Sequence, residues 1–208
     1  NMETADRCGI VCIGQKRWEG GLRENQPFGY GILYDESGRR EYAGFLYEQR
    51  RMGYGIEFYR STQTVHYDGC FFYNQRHGFG ILNNRNGKRV YEGEFAGEMS
   101  CGFFRNGYGK EMNGNGTVSY NGNWVYGYRR NDYLKRMEDI HLNSYSTEFE
   151  TAEGAFNEWK ETVLVLSLFP RLKRIRVGKN CFGGVRILEI DGPVSYTHLR
   201  AHETSQDL

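Results

Sequence analysis

The chain has 208 residues, of which 28 are Gly and only three Pro, and it is rich in Tyr (16) and Phe (13). This length holds one or two domains; the composition excludes collagen, which needs glycine at every third place, and plain disorder, which lacks aromatics. A formal net charge of +1 supplies no global attraction to nucleic acid or to an anionic membrane, and no apolar run approaches the ~20 residues of a transmembrane helix.

Glycine with aromatics suggests short β-hairpins with tight turns. Cys8, Cys12, Cys70, Cys101 and Cys181 make an odd count without paired spacing. No secretory signal is visible, although the chain opens on Asn1 and reads as a fragment. Reduced thiols in a cytoplasmic protein are the expectation. Asn115-Gly116-Thr117 is a glycosylation sequon in spelling alone.

In chain order, residues 1–17 come first. Gly9 to Ile13 reads as a strand, either a partial repeat or a cap on the array that follows. Trp18-Glu19-Gly20 then leads to Gly29-Tyr30-Gly31, Tyr42-Ala43-Gly44 to Gly53-Tyr54-Gly55, and Tyr67-Asp68-Gly69 to Gly78-Phe79-Gly80. Tyr91-Glu92-Gly93 opens a fourth unit in which Gly102 holds the expected place but Gly107-Tyr108-Gly109 comes five residues late. Tyr120-Asn121-Gly122 opens a fifth that fades after Gly127. The starts lie 24, 25, 24 and 29 residues apart, a period belonging to stacked arrays.

Alternation puts Tyr42, Gly44 and Leu46 on one face of a strand and Ala43 and Phe45 on the other. A glycine beside an aromatic leaves room for the ring to lie on bare backbone, and glycine permits positive φ at the turn. Asp35-Glu36-Ser37-Gly38 and Asn84-Arg85-Asn86-Gly87 carry turn chemistry between units. One hairpin is marginal in water, so each must be covered by the next.

Tyr91-Glu92-Gly93-Glu94-Phe95, with Gly53-Tyr54-Gly55 and Gly78-Phe79-Gly80, resembles the MORN repeat family across residues 18–128. The resemblance implies a β-hairpin array that serves as a binding platform, with phosphoinositide membranes or an attached kinase or methyltransferase domain as alternative contexts. Nothing in residues 1–192 supplies such a catalytic domain.

Residues 129–146 read as a connector, a short helix or an irregular linker with Leu134, Met137 and His141 at loose helical spacing. Over 147–192, Val163-Leu164-Val165-Leu166 and Ile187-Leu188-Glu189-Ile190 lie 24 residues apart, with Leu172, Ile175, Val177 and Phe182 between them. This is similar to a truncated leucine-rich-repeat segment of the irregular kind. Residues 193–208 resemble a translated sequencing adapter and are set apart from the fold, His198 and His202 with them.

The search for catalytic chemistry finds little. Gly102 to Gly107 has Tyr108 where a phosphate loop needs lysine. Cys8 and Cys12 lack the second pair of a structural zinc site. Outside the tail only His66, His77 and His141 remain, too few to assemble a nucleophile with its base. The run Arg171, Lys173, Arg174, Arg176 and Lys179 reads as the solvated side of a repeat, with an anionic contact as its alternative. Residues 1–134 hold 17 Lys+Arg against 15 Asp+Glu, so recurring basic pairs are nearly balanced.

The reading is a mainly β protein, an elongated array of antiparallel β-hairpins with a partial leucine-rich-repeat-like segment. It acts as a non-enzymatic scaffold for protein partners and uses no cofactor, metal or nucleic acid. The candidate surface comprises Tyr30, Tyr54 and Phe79 between paired glycines, Trp18, Tyr42, Tyr67 and Tyr91 at the unit openings, and Arg39, Arg40, Arg50 and Arg51. Most of the rings serve to stack unit on unit, and the arginines provide for an anionic membrane surface at the cytoplasmic face as the alternative partner.

Overall fold

The computed structural model describes residues 5–98, 102–143, 145–151, 155–156, 163–177, 181–185, 187–190 and 195–197. The chain forms two compact units, Asn1–Arg130 and Asn131–Leu208.

The first unit is one sheet of eleven strands in sequence order, each antiparallel to the next. They are β1 (Arg7–Ile13), β2 (Lys16–Arg23), β3 (Gln26–Tyr34), β4 (Arg40–Tyr47), β5 (Arg50–Phe58), β6 (Val65–Phe72), β7 (Gln75–Asn83), β8 (Arg89–Glu98), β9 (Gly102–Met112), β10 (Val118–Val125) and β11 (Tyr128–Arg129). This is the hairpin array expected from the repeats, and β1 joins it by pairing along β2.

Glycine takes positive φ at some turns, as expected, at Gly14 and Gly127 and in the loops between units at Gly38, Gly87 and Gly116, but not at the hairpin turns inside the repeats. The two-residue turns after β2, β4 and β6 are Glu24-Asn25, Glu48-Gln49 and Tyr73-Asn74, all with φ between 46° and 69°. Two left-handed residues in succession match the twist of the flanking strands. The glycines with positive φ inside the units lie elsewhere. Gly29, Gly53, Gly78 and Gly107 have φ of 86°, 63°, 70° and 93°, each in the middle of a three-residue bulge on β3, β5, β7 or β9. In β5, for example, Gly44 faces Gly55 and Leu46 faces Arg51, so Met52, Gly53 and Tyr54 stand opposite Phe45 alone. Such a bulge bends the strand and re-aims its side chains.

Between units, Asp35 organises its loop by accepting hydrogen bonds from the backbone N–H of Ser37 and Arg39, both at 2.9 Å. The bond from Arg39 is the largest influence holding the Asp35 carboxyl below its usual range. Asn84 accepts in the same way from Asn86 and Lys88.

A row of glycines crosses ten strands. Gly9, Gly20, Gly31, Gly44, Gly55, Gly69, Gly80, Gly93, Gly109 and Gly122 stand side by side in register. Each unit-opening ring lies over a pair of them. A Cβ on Gly44 or Gly55 would collide with Tyr42, on Gly69 or Gly80 with Tyr67, and on Gly93 or Gly109 with Tyr91. The late glycine of the fourth unit is explained by register, because Gly109 takes the place opposite Gly93 and the extra residues lengthen the hairpin.

The second unit begins with the helix α1 (Arg130–Met137). Its buried face is Tyr133 and Met137, continued by Ile140 and Leu142, whereas Leu134 is half-buried and His141 exposed. The Tyr133 hydroxyl accepts a hydrogen bond from the Val165 N–H at 2.8 Å. Residues expected to link two regions therefore belong to the core of this unit.

The strands β12 (Glu148–Glu150), β14 (Arg174–Arg176) and β16 (Ser195–Thr197) form one parallel sheet, and β13 (Val163–Val165) and β15 (Ile187–Glu189) another. Phe149 and Ile175 point inward while their charged neighbours point out. Residues 195–197, which the sequence reading set apart, thus have a backbone partner. The Cys101, Lys179, His198 and His202 of that reading lie outside the described residues.

Candidate functional site

The two faces of the hairpin sheet carry rings of different fates. On the inner face Trp18, Tyr42, Tyr67 and Tyr91 have no exposed surface. They offer nothing to a partner, so these four leave the candidate surface proposed from sequence. The reason is the glycine row, which lets each ring sink onto bare backbone until its neighbours cover it.

Each inner ring also satisfies a carbonyl. Tyr42, Tyr67, Tyr91 and Tyr120 donate their hydroxyls to the carbonyls of Phe45, Cys70, Glu94 and Asn123, three residues on, at 2.8–3.1 Å. Trp18 Nε1 does the same to Gly21 at 2.9 Å. For the first three tyrosines and for Trp18 the accepting residue is the one opposite a bulge, where the strand ladder leaves it without a regular partner. Burial is the main reason that the hydroxyls of Tyr42, Tyr67 and Tyr91 are held far above the ordinary tyrosine range.

The rings meet edge to face. Tyr67 packs against Phe71 and Phe95 at 5.1 and 5.2 Å, and Tyr91 against Phe95 and Trp124 at 5.1 and 5.4 Å. An arginine then covers each tyrosine. Arg51 lies over Tyr42, Arg76 over Tyr67, Arg105 over Tyr91 and Arg129 over Tyr120, at 4.7–5.1 Å. Carboxylates hold these arginines in pairs. Glu57 binds Arg51 and Arg76; Glu111 binds Arg105 and Arg129, both at 2.6 Å. Burial alone would raise the Glu111 carboxyl, but the hydrogen bonds from Arg129 and Arg105 and their charges outweigh it, and the net direction is downward.

The four candidate arginines do not converge. Arg39 and Arg40 are exposed at the start of β4, and Arg50 is exposed beyond its far end, roughly 23 Å away at ~3.3 Å per residue. Arg40 lies over Phe58 and Arg50 over Tyr73. Arg51 is turned inward and bound by Glu41 and Glu57. It is therefore a structural residue, a correction that follows from the ring it covers. In the second unit Arg174 and Arg176 face Glu148 and Glu150 on the adjacent strand, and Arg171 lies over Tyr145.

The outer face keeps its rings open. Tyr30, Tyr54, Phe79 and Tyr108 are 66, 50, 54 and 51% exposed. All four directly follow the left-handed glycine of a bulge, and they occupy alternate strands β3, β5, β7 and β9, roughly 10 Å apart at ~4.8 Å per strand. Beside them in register stand Phe45, Cys70, Glu94 and Asn123. The next row along the strands is Ile32, Ala43, Ile56, Asp68 and Ile81. Tyr54 donates its hydroxyl to Asp68 at 2.5 Å, and this bond is the first cause that pushes its pKa up to about 12.

Sequence reasoning did not include Tyr108, Phe45 or the three isoleucines in the surface. The signal was present in the glycine row, which fixes the register and hence each ring's neighbours. Among the described residues, no group of three or more His, Cys, Asp and Glu is arranged to hold a metal ion, and no helix is long and apolar enough to cross a membrane. No family model matches the chain, and no curated protein matches it.

Proposed function

We propose that the protein is a non-enzymatic interaction scaffold of the MORN-like kind, and that its docking surface for a protein partner is the outer face of the hairpin sheet. The observation that carries this reading is the row of four half-exposed rings, Tyr30, Tyr54, Phe79 and Tyr108. Aromatic side chains offer large contact area at low entropic cost, and a sheet pinned by buried rings on its other face holds them in a fixed array. The scaffold works in the cytoplasm, where its exposed Cys8, Cys12 and Cys70 stay reduced. A phosphoinositide-binding role draws less from the geometry, because the arginines that would grip one headgroup are divided between the two ends of β4.

The test is affinity capture with the wild-type chain and with a Tyr30→Ala, Tyr54→Ala, Phe79→Ala triple variant, each checked by circular dichroism and thermal melting. Partners should be lost from the variant while the fold is kept. Partners retained on an intact variant would remove the outer rings from the binding surface.

A further inference from the structure

We propose that the outer face binds an arginine-bearing segment of its partner, with the guanidinium seated over Phe79 between Glu94 and Asp68. The proposal rests on the docking-face reading above and names the partner's chemistry. Across β3 to β7 the two central rows of that face are Tyr30, Phe45, Tyr54, Cys70 and Phe79, and Ile32, Ala43, Ile56, Asp68 and Ile81. Nine of the ten are apolar or aromatic and lie contiguously across five strands, and contiguous apolar patches mark interaction sites. Asp68 is the exception inside it. Glu94 and Glu92 bound it on β8, directly opposite Phe79 and Ile81.

Counter-charges are unevenly supplied. Glu92 pairs with Arg89 and, in register, faces Lys110. For Asp68 and Glu94 no basic partner stands among the described residues. Asp68 has only the Tyr54 hydroxyl; Glu94 is exposed and lies down over Gly107, whose missing side chain makes room for it. Phe79 is an exposed ring with a carboxylate that lacks a basic partner on the strand to either side, Asp68 on β6 and Glu94 on β8.

The inner face shows what completes this arrangement. There Tyr42, Tyr67, Tyr91 and Tyr120 are each covered by an arginine at 4.7–5.1 Å that is also bound to a glutamate. At Phe79 the ring is open and carboxylates stand on both neighbouring strands, so an arginine from a partner would complete the same arrangement. Arginine suits the place better than lysine because its flat guanidinium stacks on the ring while its edge donates to a carboxylate. The same carboxylates repel phosphate, which disfavours nucleic acid or an anionic membrane on this face. Apolar residues beside the arginine would cover Tyr54 and Ile81.

The experiment is selection of phage-displayed random dodecapeptides on the immobilised 208-residue chain, followed by fluorescence anisotropy with the enriched peptides. Arginine next to apolar residues should be enriched. Arg→Gln in the peptide and Glu94→Gln in the protein should each weaken binding about tenfold, and Phe79→Ala about fivefold, with thermal melts unchanged because both protein positions are exposed. Arginine-poor peptides whose binding is lost with Tyr54→Ala but not with Glu94→Gln would overturn the proposal and leave the docking face standing. Peptides indifferent to every outer-face variant, or no enrichment, would overturn both.

Discussion

The inner and outer faces of the hairpin sheet are made from the same residues and reach opposite ends. On the inner face tyrosine lies on paired glycines, donates its hydroxyl to a bulge carbonyl and is covered by an arginine. On the outer face the ring follows a left-handed glycine and stands in water. The comparison teaches that an aromatic repeat has two roles separated by position alone: one set of rings assembles the array and the other is displayed by it.

Alkaline solution should strain this division most. The unfolded chain ionises its tyrosines near 10, while burial holds Tyr42, Tyr67 and Tyr91 well above that value. Their stabilisation is thus complete below pH 10 and is lost as pH rises from 10 toward the folded values. Absorbance of tyrosinate should show the inner set ionising together with unfolding. Titration of every tyrosine near 10 with the sheet intact would erase the distinction between the faces.

Among substitutions, Gly80→Ala should cost most, about 3 kcal/mol, because its Cβ would collide with the Tyr67 ring. Gly87→Ala should cost about 1 kcal/mol, since that glycine meets nothing within 4 Å and only its φ of 76° resists a side chain. Arg76→Met should cost about 2 kcal/mol by uncovering Tyr67 and removing a partner of Glu57. Tyr67→Phe, which deletes only the hydrogen bond to Cys70 at 2.9 Å, should cost about 1 kcal/mol. Urea denaturation separates these values. On the outer face Phe79→Ala should fall within about 0.5 kcal/mol of wild type; a loss as large as that of Gly80→Ala would show that the displayed ring also holds the sheet together.

The second unit sharpens the contrast in another way. Its charges are balanced across parallel strands, Glu148 to Arg174 at 2.9 Å and Glu150 to Arg176 at 3.8 Å. Two members of the basic run that read as a solvated side, Arg174 and Arg176, face acids 26 residues earlier in the chain. The hairpin array does the same with Arg51, while the adjacent Arg50, and Arg39 and Arg40 at the other end of β4, stay outside. Adjacent arginines look alike in a linear reading, and only the carboxylates that folding brings beside them tell structural from free.

Much of the array could be read without coordinates. The spacing of Tyr-x-Gly and Gly-x-Gly implied consecutive hairpins, and alternation put Tyr42 and Phe45 on opposite faces, because a strand's side-chain period is two in any fold. Three things needed the assembled sheet. Which face is buried depends on the glycine row, which exists only when ten strands align. The positive φ of Gly53 and Gly78 serves bulges and not turns, because that choice is made by the register with the neighbouring strand. The placing of Asp68 and Glu94 on the strands to either side of Phe79 comes from register alone, since the three residues belong to three different strands.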